Sequence, residues 1–225
     1  MQKILFTKKG LDRKMISKEL GENLDIDFVD VLSFENLKIP TFDLKNKSLI
    51  FTSVQGVNAF FENGFSPNEN FVEKDFNKIY TVGKKSKNAL RKHGFGTFKI
   101  KNNAKDLAKF IIENFNKENF LHFCGNLALD TLQVQFKNEK IKYKKVVVYN
   151  TKFRYPEIEN PFDEVVFFSP SGVQSFVKYN KIEGKKIFSI GETTTKEIEK
   201  FTKDEIYTSE ESTLEDLLHL IKNKL

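Results

Sequence analysis

The chain repeats itself, and the repeat limits the folds it can adopt. Phe51–Phe61 (FTSVQGVNAFF) lines up with Phe167–Val177 (FFSPSGVQSFV), keeping Phe, Ser, Gly, Val and Phe in register. Lys78–Lys92 (KIYTVGKKSKNALRK) lines up in the same way with Lys186–Lys200 (KIFSIGETTTKEIEK). AKDLAKFI and LEDLLHLI then follow the two copies at similar distance. Each copy reads as strand, turn and helix, then strand, glycine and helix, then strand and helix. A period of about a hundred residues is too long for a solenoid and fits two duplicated α/β domains.

Apolar β-forming runs alternate with helical patterns along almost the whole chain. Strands are expected at Lys3–Thr7, Asp27–Leu32, Ser48–Ser53, Lys78–Gly83, Phe120–Gly125, Lys145–Thr151, Glu164–Ser169 and Lys186–Gly191. Between them lie stretches such as AKDLAKFIIENF and TLEDLLHLIKNKL, whose apolar residues recur at helical spacing. This alternation argues for an α/β protein with parallel, doubly wound sheets covered by helices on both faces. A strand–helix–strand unit over residues 1–32 precedes the first copy, whereas residues 120–137 lie between the copies. The simplest assembly returns the N-terminal unit to the C-terminal domain. The first domain is then discontinuous, 1–36 with 156–225, and the second is 37–155. The chain would cross between them near 34–42 and near 148–156, where Pro40 and Pro156 break the pattern.

Composition narrows the partners. No apolar run approaches the length of a bilayer span, so no membrane partner is expected. The apolar opening KILFT gives way at once to a charged segment, which reads as a first strand and not a signal peptide. Cys124 is the single cysteine, which excludes an intramolecular disulfide and any multi-cysteine metal site. A cytoplasmic protein is the default expectation. The net charge of +6 permits an anionic partner. Its lysines are interleaved with Glu and Asp along the chain and not gathered in one arm, which argues against nucleic acid and suits a polyanionic small molecule.

Both copies end a strand in Ser or Thr and enter a helix. Thr52 and Ser53 do so in the first; Ser169, Pro170, Ser171 and Gly172 do so in the second. Ser169 reads as an N-cap with Pro170 at the first helical position. Such a turn serves capping alone or, with its free N–H groups and positive helix end, an anion site. Its place after a strand is where open α/β sheets take ligands. Gly83 and Gly191 open a second pair of turns, VGKKS and IGETT, too glycine-poor for a dinucleotide fingerprint or P-loop. Ser86 and Thr194 occupy equivalent places there, with Thr193 and Thr195 beside the latter. Lys84, Lys85 and Lys87 crowd a helix start, as a solvated surface or as counter-charges for a polycarboxylate. His122 and Cys124 share a strand face, and flanking Phe residues favour burial over a nucleophilic pair. His93 and His219 read as structural or surface residues. No Asp, His or Glu cluster has metal spacing. Tyr149, ending a strand by the second crossover, could offer a phenol proton or be a half-buried aromatic.

Taken in order, LSFENLKIP, LIFTSVQGV, TVGKKSKNAL, FCGNLALDTL, VVVYNT, FFSPSGVQSF and SIGETTTKEI resemble the uroporphyrinogen-III synthase family over nearly the whole chain. The resemblance implies two similar flavodoxin-like domains, the first discontinuous, joined by a two-stranded β-ladder with the active site in the cleft between. It implies cyclisation of hydroxymethylbilane to uroporphyrinogen III, with loss of the terminal hydroxyl as water, a spiro intermediate and inversion of ring D. No cofactor or metal takes part in the family's reaction. The family's binding residues carry over to Thr52, Ser53, Ser86, Tyr149, Ser169, Ser171, Gly172, Thr193 and Thr194, and Lys186 matches a basic position seen in some members. The expected partners are the linear tetrapyrrole and, transiently, hydroxymethylbilane synthase, with the chain a monomer. Val54–Gln55, Lys84–Lys85–Ser86 and Thr7–Lys8 depart from the commoner family patterns. The substrate's eight carboxylates suit a basic, hydroxyl-rich protein, and spontaneous closure gives the un-inverted isomer, so the protein's task is to fix geometry. From another class, a non-catalytic two-lobed polyanion-binding or sensor protein would share the duplicated plan.

Overall fold

The computed structural model describes residues 2–68, 70 and 76–225. In order, β1 (Lys3–Phe6), α1 (Arg13–Leu20), β2 (Asp25–Phe28) and β3 (Leu32–Asn36) precede the first copy. That copy holds β4 (Ser48–Phe51), α2 (Val54–Glu62), β5 (Ile79–Val82), α3 (Lys84–Lys92), β6 (Lys99–Lys101) and α4 (Ala104–Asn114). The intervening segment supplies β7 (Asn119–Gly125), α5 (Thr131–Asn138) and β8 (Lys142–Phe153). The second copy holds β9 (Glu164–Phe167), α6 (Pro170–Phe176), β10 (Lys186–Ser189), α7 (Glu192–Ile198), β11 (Ile206–Thr208) and α8 (Leu214–Lys224). No helix among the described residues is long and apolar enough to cross a membrane.

Five strands form one sheet in the order β11-β10-β9-β1-β2, and six form another in the order β3-β8-β7-β4-β5-β6. Every strand pair from β1–β2 to β10–β11 in the first sheet is parallel, as are β4–β5, β5–β6, β4–β7 and β7–β8 in the second. The α/β class with parallel sheets is thus confirmed. Contacts divide the chain into one unit of Met1–Ser33 with Lys152–Leu225 and another of Phe34–Thr151. The division falls inside β3 and inside β8, which are neighbours. Arg154 N–H donates to the Val31 carbonyl and Leu37 N–H to that of Val148, so β3 and β8 run in opposite directions.

The expected strand over Asp27–Leu32 is two strands instead. β2 keeps register with β1 only as far as Phe6 opposite Phe28, where β1 itself ends. Val29–Val31 belong to neither strand, and β3, whose partner is β8, begins at Leu32. A continuous apolar run cannot reveal that its first half and second half answer to different neighbours.

In each unit helices pack on both faces of the sheet. In the discontinuous unit, α6 and α7 cover the face bearing Leu5, Val165, Phe167 and Ile187, while α1 and α8 cover the face bearing Ile4, Phe6, Val166 and Phe188. In the other unit, α2 and α3 cover Leu49, Phe51, Leu121 and Phe123, while α4 and α5 cover Ile50, Tyr80 and Phe120. The repeated phenylalanines have a packing reason. Phe51 meets Phe60 edge to face at 5.2 Å, and their counterparts Phe167 and Phe176 meet at 5.5 Å. Each buried Phe contributes about 1.5–3 kcal/mol through the water-excluded area it removes.

Candidate active site

Two serines start the equivalent helices in the same way. Ser53 caps α2, its hydroxyl accepting the Gly56 N–H at 3.0 Å, and Ser169 caps α6, accepting the Gly172 N–H at 3.1 Å. Pro170 stands in the first turn of α6, where its missing N–H costs no helical bond. The glycines are there for closeness. A Cβ at Gly56 would lie 2.7 Å from the Phe123 carbonyl oxygen, and one at Gly172 would lie 3.2 Å from Val31 Cγ2. The first turn of α2 is therefore seated directly on β7, and that of α6 against Val31 in the segment between β2 and β3.

The glycine turns that open α3 and α7 provide no side-chain cap. Gly83 takes φ +78°, a left-handed conformation open to glycine, while Gly191 is extended and is held small by Ser212, whose Oγ would sit 2.4 Å from an added Cβ. Ser86 and Thr194, third residues of their helices, are both buried; Thr193 and the lysines Lys84, Lys85 and Lys87 are exposed.

Tyr149 is placed by an irregularity in β8. Strand β7 pairs with β8 residue for residue up to Cys124 opposite Val147, and then a β-bulge puts Gly125 opposite Tyr149. A one-residue slip reverses which face a side chain takes. Tyr149 consequently joins the core beneath α2, and its ring lies so close over Gly125 that an added Cβ would be 2.5 Å from Cε2 and Cζ. Asn126 braces the strand on both sides, its N–H donating to the Tyr149 carbonyl at 3.1 Å and its side chain accepting the Thr151 N–H at 2.7 Å. The phenol oxygen comes to 3.1 Å from Ser53 Oγ. Burial raises the Tyr149 pKa above its ordinary value, with the Ser53 hydrogen bond opposing. The group stays a neutral phenol through physiological pH, able to donate a hydrogen bond.

Thr52, immediately before the cap, reaches the opposite face of the sheet, where its Oγ1 lies 2.8 Å from His122 Nε2. The other imidazole nitrogen, Nδ1, is 2.7 Å from the Tyr143 hydroxyl. Burial, with Lys145 adding to it, lowers the His122 pKa to about 3, so the ring is neutral. Cys124 is buried and its thiol is pushed up to about 11 by burial, which leaves it unreactive. His122 and Tyr143 were not among the residues expected to form the site. The signal available was the polar residue two positions after Ile50 in one copy, where the other copy has Phe168.

The geometry brings Thr52, Ser53 and Tyr149 together in one unit and Ser169, Ser171 and Gly172 together in the other. It separates Lys186 from the latter group. Lys186 opens β10, at the amino end of the strand, whereas Ser169 follows the carboxyl end of β9. Its ammonium donates to the Lys224 carbonyl at 2.6 Å and lies 3.5 Å from the fully buried Glu164 carboxylate. That ion pair gives Lys186 a structural task at the amino ends of the strands, away from Ser169. Two surface concavities, of about 520 and 360 Å³, share Phe42 and Asp43; the larger is also lined by Asn119 and Lys142 at the amino ends of β7 and β8, and neither includes Thr52, Ser53 or Tyr149. Among the described residues no cluster of His, Cys, Asp and Glu could hold a metal ion.

Duplicated parallel α/β units with capped helices and hydroxyl side chains at the carboxyl ends of their strands define a class that binds its ligands at those ends. Comparison with known proteins narrows the class. A family model described as uroporphyrinogen-III synthase HemD matches residues 26–219. The chain belongs to the uroporphyrinogen-III synthase family, whose members are enzymes of tetrapyrrole synthesis. Among solved structures, uroporphyrinogen-III synthetase from Helicobacter pylori 26695 is 19% identical with TM-score 0.73, the match covering 100% of both chains. A mutant uroporphyrinogen III synthase from the extremely thermophilic bacterium Thermus thermophilus is 14% identical with TM-score 0.64, covering 100% of this chain and 97% of that one. These likenesses support the fold. No curated protein matches the chain significantly.

Proposed function

We propose that the chain cyclises hydroxymethylbilane to uroporphyrinogen III, inverting ring D and releasing water, as a lyase that needs neither metal nor organic cofactor. The observation that carries this reading is the family match over 26–219, a span that contains both Ser-Xaa-Xaa-Gly caps and the bulge that aims Tyr149. The reaction breaks the bond between the terminal methylene and its hydroxyl. The electron-rich pyrrole supplies the electrons, and a proton must reach the departing oxygen so that it leaves as water. Tyr149, neutral and held against Ser53, is the proposed donor to that oxygen, directly or through a water. Thr52, Ser53, Ser86, Ser169, Ser171, Gly172, Thr193 and Thr194 are the proposed contacts to the substrate's carboxylates, through hydroxyls and first-turn N–H groups. Transient contact with hydroxymethylbilane synthase and action as a cytoplasmic monomer fit a chain that receives an unstable, water-soluble poly-acid.

The test generates hydroxymethylbilane in situ, with chelator and without added cofactor, and resolves isomers I and III after oxidation. Isomer III well above the spontaneous background is expected. Isomer I alone would make the chain a non-catalytic polyanion binder. Tyr149→Phe should lower turnover about tenfold or more, equivalent to about 1.4 kcal/mol of barrier. Unchanged turnover in that variant would remove Tyr149 from the chemistry.

A further inference from the structure

Thr52, His122 and Tyr143 form a hydrogen-bonded chain across three neighbouring strands. The register sets Ile50 opposite His122 and His122 opposite Lys145. Thr52 and Tyr143 lie two residues from those partners, so all three side chains share one face of the sheet. His122 is 2% exposed. A polar group buried this deeply is costly unless its bonds are made, so its presence needs a reason.

The duplicated unit shows that the fold does not require it. Val166 corresponds to Ile50 in the repeat and pairs with Phe6, and Phe6 pairs with Phe28. The positions of Thr52, His122 and Tyr143 are therefore taken there by Phe168, Phe6 and Ile26. These pack in one apolar core, with Phe6 and Phe168 ring centroids 6.3 Å apart. The equivalent face of the equivalent sheet closes with apolar side chains at these positions in one unit and with a hydrogen-bonded imidazole in the other.

We propose that His122 is a positioning residue that holds the Thr52 hydroxyl as a donor toward a carboxylate of the substrate, with Tyr143 selecting the imidazole tautomer. This rests on the reading of Thr52 as a substrate contact. A neutral imidazole offers one N–H and one bare nitrogen. Among the described residues, His122 Nδ1 is the only hydrogen-bond partner of the Tyr143 phenol, which burial keeps protonated. The phenol donates to Nδ1, so the ring proton sits on Nε2 and is donated to Thr52 Oγ1. Thr52 then accepts from below and keeps its own proton for an anion above the strand end. The reverse tautomer would draw that proton inward and turn lone pairs toward the carboxylate.

Nitrogen NMR on the resting protein reads the tautomer without substrate; the chain has three histidines, and the resonance lost in His122→Gln assigns the one concerned. Nε2–H with a bare Nδ1 is expected, shifting to a mixture in Tyr143→Phe. A dominant Nδ1–H form in the wild type overturns the proposal. In the kinetic arm, His122→Phe and His122→Asn, which lose the donor to Thr52, should raise KM about tenfold with kcat changed by less than about twofold. His122→Gln, whose amide nitrogen reaches the place of Nε2, should recover most of that loss. A Gln variant as impaired as the Phe variant would reduce His122 to packing. If no variant and no wild type makes isomer III, the functional reading fails while the tautomer measurement still stands. If His122→Phe does not fold, the wild-type and Tyr143→Phe spectra decide the question.

Discussion

Gly125→Ala tests the arrangement around Tyr149 with the smallest change available, one methyl group. The backbone of Gly125 is not in the left-handed region, so alanine brings no conformational strain of its own. Its Cβ would fall 2.5 Å from Tyr149 Cε2 and Cζ and 2.9 Å from the phenol oxygen. Carbon atoms in contact prefer about 3.5–4.0 Å, so the ring must retreat by about 1 Å or more. Tyr149 is 8% exposed and packs edge to face on Phe34 at 5.9 Å, which leaves retreat as a shift of the whole ring. Such a movement lengthens the 3.1 Å contact to Ser53 beyond hydrogen-bonding range. Misplacement of a reacting group by about 1 Å can cost about a hundredfold in rate, while overpacking costs about 1–3 kcal/mol of stability. The isomer-resolved coupled assay should show kcat falling at least tenfold, by about as much as in Tyr149→Phe. A thermal melt should confirm that the variant is folded. The double variant should be no slower than Tyr149→Phe alone, because both changes remove one contribution. Full turnover in a folded Gly125→Ala protein would refute the reasoning, since the phenol would then be free to move without consequence.

Ser53→Ala and Ser169→Ala each remove one N-cap and should lower stability by about 1 kcal/mol, read as a similar shift in thermal midpoint. Ser53→Ala should in addition lower kcat through Tyr149, whereas Ser169→Ala should act on KM; equal stability loss with kcat untouched in both would break the link between Ser53 and the phenol. Because burial raises the Tyr149 pKa, its proton is held through neutral pH, and kcat/KM should show no basic limb from this group below about pH 10. A limb at lower pH that vanishes in Tyr149→Phe would contradict that. Burial also raises the Glu164 pKa against the opposing pull of Lys186, and Oε2 of Glu164 has no hydrogen-bond partner among the described residues. The folded chain then holds this proton to higher pH than the unfolded one. The stability contribution is full below the unfolded carboxyl's pKa and is lost as pH rises through the folded value. Urea midpoints for wild type should therefore fall relative to Glu164→Gln from acid to neutral pH; parallel curves would mean that the carboxyl does not titrate differently on folding.

Much of the architecture could be read from residues because the signals were local. Runs such as SLIF and EVVF are buried on both faces of a parallel sheet and so read as continuous apolar segments. Ser53 and Ser169 announce helix starts by a bond three residues long. The repeat calls for a third strand in each copy but does not place it on residues, since KIK and IYT, three residues each at a sheet margin, carry no periodicity. The bulge at Cys124–Gly125 was equally silent, because only the pairing of two distant strands reveals that Tyr149 and Val147, two apart in sequence, do not share a face. Lys186 matched a motif position, but its partner Glu164 could be known only once β9 and β10 were laid side by side.

The duplication also sorts the candidate residues by what the fold itself demands. Ser53 and Ser169, with Gly56 and Gly172, occur twice and are accounted for in both places by capping and close packing. Capping alone therefore explains their presence, and a ligand role for them must come from binding measurements. Thr52, His122, Tyr143 and the bulge-placed Tyr149 belong to one unit. Where the other unit answers the first three positions with Phe168, Phe6 and Ile26, it builds the same sheet face from apolar contacts. A buried imidazole with two hydrogen-bond partners and a phenol turned by a bulge are more demanding ways to fill a core than phenylalanine is. The asymmetry therefore sets the unit of residues 34–151 apart, since it alone holds polar groups at these three positions that packing does not call for, as a Thr52 hydroxyl held for a substrate carboxylate requires. Exchanging the asymmetry tests this. Thr52→Phe with His122→Phe and Tyr143→Ile should leave a folded protein with KM raised about tenfold or more, whereas Phe168→Thr should leave KM within about twofold of wild type. A triple variant with wild-type KM would show that these positions do not serve substrate binding.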